Sequence, residues 1–517
     1  MSERGTAVIR PERRRSQPMI RIIAEVALGA LLALALIAPV SVVVAVIALV
    51  TLVLVVLAIS AELSSITFDA TTAITGMLLL LFLIPAPEAV GYLGGTGTPA
   101  MIACVCLGLT WLGASLRYIP ALRSRCTPLR AAGLMLGAVG VASWVIASTR
   151  RITSEEVRAS DRGLLVLFAM LGLMLFTAEL MRSRERLYLT IDRLILGATA
   201  LAIIGIIQFN IHLDVVRLIH IPGLRVVNTG FIEVGTRSKF ARVAGTTLHP
   251  IEFGYVLAVV FPLALHRAFY PPAERSRLAR WAPAALMAVA ILMSLSRTAG
   301  IGIAVAGLIL VPSWPKVRRR RTYVIVPLFL AATRIVIPGL VGTMFALFTS
   351  VGQDTSVSAR TARYSVADAF IRNAPILGRG IKTLVPPLVF DNQYLETLIE
   401  TGILGLLALI GIFLTGIALT RFIRHASTDP RTRDLAQTLC ACIAIPLLTY
   451  ATWDAMSFPV GLIVTYLTIG MAGALWRLEG GPTPWNDVGE PRAVKADAEP
   501  PAGAPPLTLV TPSTASA

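Results

Sequence analysis

Charged residues are scarce in this 517-residue sequence: Asp, Glu, Lys and Arg make up only 15%, against about 25% in an ordinary soluble domain. Hydrophobic residues account for 56%, and the mean hydropathy is +0.76. These figures exclude a water-soluble globular enzyme and a disordered protein. The net charge is +17, but the charges fall in short clusters between long apolar runs. They therefore indicate membrane topology and not nucleic-acid binding.

Cysteine is also rare, with five residues that all lie in or beside apolar runs. Such positions give no disulfide framework. The pairs Cys104/Cys106 and Cys440/Cys442 resemble metal ligands in spacing, but no His or carboxylate accompanies them. Buried apolar cysteines are the favoured interpretation, and we expect no metal site.

The long apolar runs predict an all-α polytopic membrane protein. A bilayer core about 30 Å thick needs roughly 20 apolar residues per helix. About 14 transmembrane helices (12–14) are expected, because two of the runs, near 282–313, are unusually short. The predicted spans are 21–39, 41–60, 66–85, 98–116, 131–148, 163–181, 188–208, 249–269, 282–296, 298–313, 323–349, 394–420, 435–453 and 457–476.

The basic clusters predict the orientation of these spans. Arg13, Arg14 and Arg15 precede the first span, which places the N-terminus in the cytoplasm. Alternation then puts every strongly basic loop inside, and a second span follows the first at once, which excludes a cleaved signal peptide. We expect a multi-pass protein of the cytoplasmic (inner) membrane with both termini cytoplasmic. The predicted inside loops are Arg117–Arg130, Arg182–Arg186, Arg267–Arg280, Lys316–Arg321 and Arg421–Arg433.

Two outside segments are much longer than the others, and long loops on one face are disproportionately functional. They are 209–248 and 350–393, and ten of their fifteen charges are basic. Guanidinium groups bind phosphate oxygens bidentately, so the set favours an anionic substrate over solvated loops with compensating ion pairs. The predicted regions are a basic cytoplasmic tail (1–20), N-terminal transmembrane helices (21–181), the main membrane domain (188–476) and a Pro- and Ala-rich, disordered cytoplasmic tail (477–517).

Two candidate motifs precede predicted spans. Arg242-Val-Ala-Gly245-Thr-Thr-Leu-His249-Pro250 leads directly into one. Here His249 is either a proton acceptor or a residue bonded to the backbone at the helix start. Ser296-Arg297 stands between the two short spans. A lipid-facing arginine would cost at least ~2.5–3.5 kcal/mol, so Arg297 is expected to face a polar cavity or a partner.

Two further motifs lie in and after the second long loop. Arg360 and Arg363, one turn apart and followed by Tyr364, are placed to share one anionic group. The residues that follow predict a short amphipathic helix on the membrane surface, ended between Asn373 and Gly380. Asp391-Asn392 then precedes a span. Its carboxylate is either a base for an acceptor hydroxyl or a helix N-cap.

In this order and spacing, these motifs resemble those of the O-antigen ligase and polymerase superfamily of membrane glycosyltransferases. The resemblance covers roughly residues 190–475. It becomes specific when the short pieces occur together with a large outside loop. The matching pieces are Arg-x-x-Gly (Arg242, Gly245), Ser-Arg (Ser296, Arg297), Arg-x-x-x-aromatic (Arg360, Tyr364), Pro-x-x-Gly-x-Gly (Pro375, Gly378, Gly380), polar-Asn-x-x-Leu (Asp391, Asn392, Leu395) and Glu-x-Gly-x-x-Gly (Glu400, Gly402, Gly405).

The resemblance implies a fold similar to the C-type glycosyltransferases and a donor glycan on a polyprenyl pyrophosphate. It implies a glycan, lipid or protein acceptor, and no metal or nucleotide cofactor. Arg242 and Arg360 would hold the pyrophosphate and Asp391 would be the base, which makes these three the predicted catalytic residues. The predicted substrate-binding residues are Arg297, Arg363, His249, Tyr364, Asn392 and Glu400.

One position departs from the ligase pattern, in which His-Asn stands where this chain has Asp391-Asn392. The departure leaves a carboxylate as the candidate base and favours polymerisation slightly over ligation. A transporter, such as a flippase of lipid-linked oligosaccharide, is the alternative function. The interruption between Pro327 and Pro338 fits a transporter, whereas the concentration of charge in two outside loops does not.

Overall fold

The computed structural model of the protein describes residues 69–90, 95–117, 127–211, 216, 219, 221–227, 236–237, 240–272, 276–349, 364–384 and 390–480. These residues are overwhelmingly α-helical. The helices are α1 (Ala70–Leu83), α2 (Pro99–Arg117), α3 (Pro128–Thr149), α4 (Ser154–Leu180), α5 (Arg184–Ile211), α6 (Pro250–Phe269), α7 (Arg277–Met293), α8 (Arg297–Leu310), α9 (Lys316–Val336), α10 (Leu340–Thr349), α11 (Tyr364–Asn373), α12 (Gln393–Ala426), α13 (Pro430–Thr449) and α14 (Pro459–Leu478). The strands are β1 (Glu88–Ala89), β2 (Arg225–Val226), β3 (Thr236–Arg237) and β4 (Phe240–Ala241), with β1 antiparallel to β2 and β3 antiparallel to β4.

The helices confirm the predicted all-α membrane class. Within the described residues, eight helices are long and apolar enough to cross a membrane, or nine if α9 and α10 form one span. The helices α1 and α8 are apolar but shorter. The predicted spans 21–39 and 41–60 and the tails 1–20 and 481–517 lie outside the described residues, so the total of fourteen stays a prediction.

The span predicted over residues 323–349 is divided in the structure. The helices α9 and α10 meet at a bend of 114°. Pro338 and Gly339 stand at the break, and Gly339 has a φ of +96°. Proline cannot donate the helical hydrogen bond, and a left-handed φ ends a helix. The apolar run therefore continues in the sequence through residues 338 and 339, although the helix ends there.

The core is built around α14. This helix is apolar on all sides, which is the pattern of a helix enclosed by others, and it is buried along its whole apolar window. It packs against α4, α6, α12 and α13. Any site at the N-terminus of α14 is therefore formed by the ends of the helices that pack around it.

The helix ends separate into two faces, as the predicted alternation requires. On one face, which we name the basic face, the predicted inside loops contact one another: Arg267 Nε donates to Asp192 Oδ1 at 2.7 Å, and Arg318 Nη1 donates to Asp434 Oδ1 at 2.9 Å. On the other face, Gln393 N donates to Trp453 O at 3.0 Å. This site face comprises residues 240–250, 294–298, 375–384, 390–393 and 450–459.

Candidate functional site

The Arg242–His249 segment is fixed against α5. Gln208 Oε1 accepts hydrogen bonds from Ala244 N at 3.1 Å and Gly245 N at 2.8 Å. Gly245 has a φ of +58°, and a Cβ there would lie 2.8 Å from Leu201 Cδ1. The Arg-x-x-Gly motif thus requires glycine for its turn and for the close approach to α5. This turn holds Arg242 beside the start of α6.

His249 is the N-cap of α6. Its Nδ1 accepts a hydrogen bond from Ile251 N at 3.2 Å. Burial and, to a smaller extent, the nearby positive charge of Arg242 together lower the pKa of His249 to about 4. The imidazole is therefore neutral at pH 7 and bonded to the backbone, which is the structural alternative recognised in the sequence. Its contact with substrate stays a prediction.

Asn392 and Asp391 have different roles at the start of α12. Asn392 Oδ1 is the N-cap acceptor, with Tyr394 N at 3.1 Å and Leu395 N at 3.2 Å. Asp391 precedes the cap in the left-handed region, with a φ of +50°. Non-glycine residues in this region are uncommon and concentrate at functional sites. The cap is thus supplied by Asn392, and Asp391 is not needed for it.

A second carboxylate lies close to Asp391. Asp454 is buried in the connection between α13 and α14. Burial raises the pKa of Asp454 to about 6; Lys382 opposes this rise, whereas the negative charge of Asp391 adds to it. The two aspartates therefore form an interacting pair, although 63 positions separate residues 391 and 454 in the chain.

Two of the family-like motifs interlock through their backbones. Arg379 N and Gly380 N donate to the carbonyl oxygens of Ile399 and Glu400, both at 2.9 Å, and Ile403 N donates to Pro375 O at 2.9 Å. Within α12 these bonds surround Gly402, which has a φ of +66° and a ψ of −170°. The Pro-x-x-Gly-x-Gly and Glu-x-Gly-x-x-Gly segments thus form one unit that breaks α12 about two and a half turns after its start.

Replacing Gly402 with alanine is expected to destabilise this unit. A Cβ at Gly402 would lie 2.2 Å from Ile376 O, and the backbone conformation there is essentially restricted to glycine. We expect a loss of about 2–4 kcal/mol from strain and overlap together. The matched control is Gly411→Ala in the same helix, where a Cβ meets nothing within 4 Å. Thermal unfolding of the purified proteins measures the difference; equal midpoints for the two variants would contradict the account.

A cavity of about 380 Å³ opens beside this unit, between α2, α3, α4, α12 and α14. Its interior is apolar, with Leu136, Met170 and Leu409 among the lining residues. Its polar end lies at the site face. The side chains that line the polar end are Glu155, Arg162, Lys382, Thr397, Glu400, Thr401, Asp454 and Ser457.

Four helices begin on the site face around the connection from α13 to α14. The start of α12 is bonded to Trp453, and near the start of α8 Thr298 Oγ1 lies 3.0 Å from Thr452 Oγ1. In α6, Glu252 accepts from the first turn of α14 through Val460 N at 2.7 Å. Helix N-termini carry partial positive charge and favour anions. With Arg242 and Arg297, they give the site face a positive potential beside its carboxylates.

The structure gives Arg297 a partner, as its position in the membrane requires. This residue is half-buried at the start of α8, and its Nε donates to Leu347 O at 2.7 Å. The bond ties α8 to the end of α10. The expectation of a polar partner for Arg297 is confirmed, while its substrate contact stays a prediction.

The structure brings most of the predicted site residues to one face but not all into one cluster. Arg242 neighbours His249, Asp391 neighbours Asp454, and Glu400 faces the cavity. Arg360 and Arg363 lie outside the described residues. Tyr364 is exposed at the start of α11, the predicted amphipathic helix. Its contact with substrate stays a prediction.

Three charged residues at or beside the polar end of the cavity are not among the site residues that the sequence predicts: Lys382, Glu396 and Asp454. In the sequence, Lys382 is only one of several basic residues in the second long segment, 350–393. Glu396 follows Asn392 by one helical turn, so the helical period carried a signal for it. Asp454 lies in a short connection between two spans, where topology alone gives an aspartate no special meaning.

Comparison with known families supports the resemblance. Residues 282–410 match the family model described as O-antigen ligase. The matched segment includes Arg297, Asp391 and Glu400, but not Arg242. Comparison with the curated proteins gives no match to this chain. The chain is therefore a polytopic membrane protein in which residues 282–410 match the O-antigen ligase family model, and this match supports its resemblance to the O-antigen ligase and polymerase superfamily.

Proposed function

We propose that this protein is a metal-independent glycosyltransferase of the cytoplasmic membrane that moves a polyprenyl-pyrophosphate-linked oligosaccharide to an acceptor. The site face would be extracytoplasmic and both termini cytoplasmic. The observation that carries the proposal is that a cationic region around Arg242 and an acidic pair, Asp391 and Asp454, meet at the same connection between α13 and α14. Such a protein would serve the assembly of cell-envelope polysaccharide.

The reaction needs a base and a stabilised leaving group. The oxygen of an acceptor hydroxyl forms a bond to the anomeric carbon of the donor, and the bond from that carbon to the pyrophosphate breaks. The hydroxyl proton moves to the Asp391 carboxylate. The polyprenyl pyrophosphate leaves with the electron pair, and fixed positive groups stabilise the charge that develops on it.

The cationic side of the site suits the leaving group. Arg242 beside the N-terminus of α6 is the first candidate, together with Arg360, and Arg297 and Arg363 are further candidates. Because Nδ1 of the neutral His249 accepts from Ile251 N, its proton is on Nε2, which can donate one hydrogen bond to the pyrophosphate. The ring of Phe458 lies 6.1 Å from that of His249 and 5.0 Å from that of Trp453, the residue that precedes Asp454.

The acidic side suits the acceptor. Carboxylates accept hydrogen bonds from sugar hydroxyls, and Asp391, Asp454 and Glu400 all face this side. Asn392 is occupied as the cap of α12, so its contribution would be to hold Asp391 in position. Tyr364 on α11 would contact the donor or acceptor glycan at the surface.

The test uses purified protein in detergent with a polyprenyl-pyrophosphate-linked oligosaccharide and a chelator. We expect released polyprenyl pyrophosphate in stoichiometric amounts with a new glycosidic linkage. Longer lipid-linked chains formed from the donor alone would identify a polymerase; transfer only after addition of a second acceptor would identify a ligase. Intact donor after incubation with glycan, lipid and protein acceptors would contradict the proposal.

The second candidate function is transport of a lipid-linked oligosaccharide. The observation that favours it is the 114° bend between α9 and α10, because transporters contain helices interrupted within the membrane. Transport does not require a cationic region and an acidic pair at one connection, whereas transfer requires both a base and a stabilised leaving group. We therefore give precedence to the transferase.

A further inference from the structure

Lys382 occupies an unusual position at the polar end of the cavity. It is half-buried, and its φ is +53°, in the left-handed region that long side chains rarely adopt. Its stem packs against α4, where a Cβ on Gly163 would lie 2.7 Å from Lys382 Cγ. Its Nζ donates to Ser457 Oγ at 3.4 Å, on the connection between α13 and α14. The side chain thus spans the cavity end from one wall to the other.

The groups around Lys382 are predominantly acidic. Burial alone would lower the pKa of Lys382, but the charges of Glu400, Glu396 and Asp454 outweigh it, and the pKa is raised. The same loop also contacts α12 through its backbone, because the N–H groups of Lys382 and Leu384 donate to the Glu400 carboxylate. The ammonium group of Lys382 therefore interacts with carboxylates on α12 and on the connection between α13 and α14.

The full set of titratable and charged groups defines the electrostatics of this end. Those that line or face it are Glu155 and Arg162 from α4, Arg379 (which acts on Glu400), Asp391, Glu396 and Glu400 at the start of α12, Asp454 and Tyr466. Carboxylates outnumber cations in this set. Without an ammonium group at its centre, mutual repulsion in a low dielectric would favour protonation of some of the carboxylates.

We propose that Lys382 is a positioning residue for the transfer reaction: its ammonium group bridges the 381–384 loop and the connection between α13 and α14, and it keeps Asp454 charged and in place beside Asp391. This role rests on the proposed function. Lys382 acts through the carboxylates and does not itself contact the reacting atoms. Its strained backbone is explained by the same role, since a relaxed conformation would direct the side chain elsewhere.

The consequence is a pH dependence with a definite sign. The negative charge of an ionised Asp454 favours proton transfer to the neighbouring Asp391, so activity is present above the pKa of Asp454 and is lost as the pH falls through it. In the native protein this acid limb is expected near the pKa of Asp454, about 6. Removing the ammonium group raises that pKa, so the limb moves to higher pH. One nearby charge shifts a pKa by roughly 1–3 units, and we expect a shift of at least about one.

The experiment compares the pH profiles of transfer for the native protein, Lys382→Met, Lys382→Arg and the control Lys316→Met. Lys316 lies at the start of α9 on the basic face and is exposed, so its loss removes a charge far from the site. We expect the limb of Lys382→Met to move up by about one unit or more, and those of Lys382→Arg and Lys316→Met to stay in place. Lys382→Gln, which removes the same charge but keeps a polar side chain, is expected to move the limb up as Lys382→Met does.

The outcomes separate two failures. If the native protein shows no transfer, the proposed function itself fails. If it transfers glycan and Lys382→Met has an unchanged pH profile, Lys382 is not a positioning residue. Should Lys382→Met fail to fold, as measured by size-exclusion chromatography, Lys382→Gln decides: an unmoved acid limb there overturns the electrostatic coupling on which the proposal rests.

Discussion

Asp391→Asn is expected to reduce glycan transfer by about 10²–10⁴-fold, the range for removal of a general base. Asparagine keeps the size of the side chain and tolerates the left-handed φ of +50° that this position requires. The change therefore removes the proton acceptor while retaining the backbone that positions it. The rate of polyprenyl pyrophosphate release from purified protein measures the effect.

The control for this variant is Asp368→Asn. Asp368 lies on α11, is exposed, and pairs with Arg372 four residues later at 2.9 Å. Exposed pairs of this kind contribute little to stability, so the variant is expected to match the native rate. A native rate for Asp391→Asn, with donor binding unchanged, would remove Asp391 from the mechanism and direct attention to Asp454.

Arg242→Gln is expected to lower transfer by about 10²–10³-fold, as for other losses of a preorganised group that stabilises developing charge. Glutamine keeps a polar side chain but cannot offer a charged, bidentate fork to the pyrophosphate. Arg242→Lys is expected to restore transfer only in part, because an ammonium group does not reproduce the guanidinium geometry. Steady-state kinetics over a range of donor concentration separate loss of binding from loss of turnover.

Arg225→Gln is the matched control for Arg242. Arg225 belongs to the same long segment, 209–248, and is exposed in β2, which pairs with β1. If transfer depended only on the summed positive charge of the segment, the two substitutions would have similar effects. That result would contradict the assignment of Arg242 to the leaving group.

The membrane helices could be predicted from the sequence because hydropathy and the basic loops report them directly. The break in α12 could not, since the apolar run continues through Gly402 and only the contact with Ile376 requires the break. The same applies at Gly339, where the bend between α9 and α10 interrupts one continuous apolar run. A long apolar run predicts the length and burial of a helix. A break within the helix depends on contacts between residues that are far apart in the sequence.

The sequence predicts those site residues that stand in a recognisable motif. Arg242, Asp391 and Glu400 were found because each stands in a short pattern, and the structure places them on one face. Lys382 and Asp454 have no pattern of their own, and they become a cluster only when the loop before α12 meets the connection after α13. The roles of Asp391 and Asn392 were separable only from the cap geometry of α12.

The most direct test of the central claim measures transfer and transport in the same sealed liposomes. Protein is reconstituted with a fluorescent polyprenyl-pyrophosphate-linked oligosaccharide confined to one leaflet, and both new glycosidic linkages and appearance of the label in the opposite leaflet are followed. We predict new linkages, lost in Asp391→Asn, with no movement between leaflets. Movement of intact donor without any new linkage would contradict the account and identify a transporter.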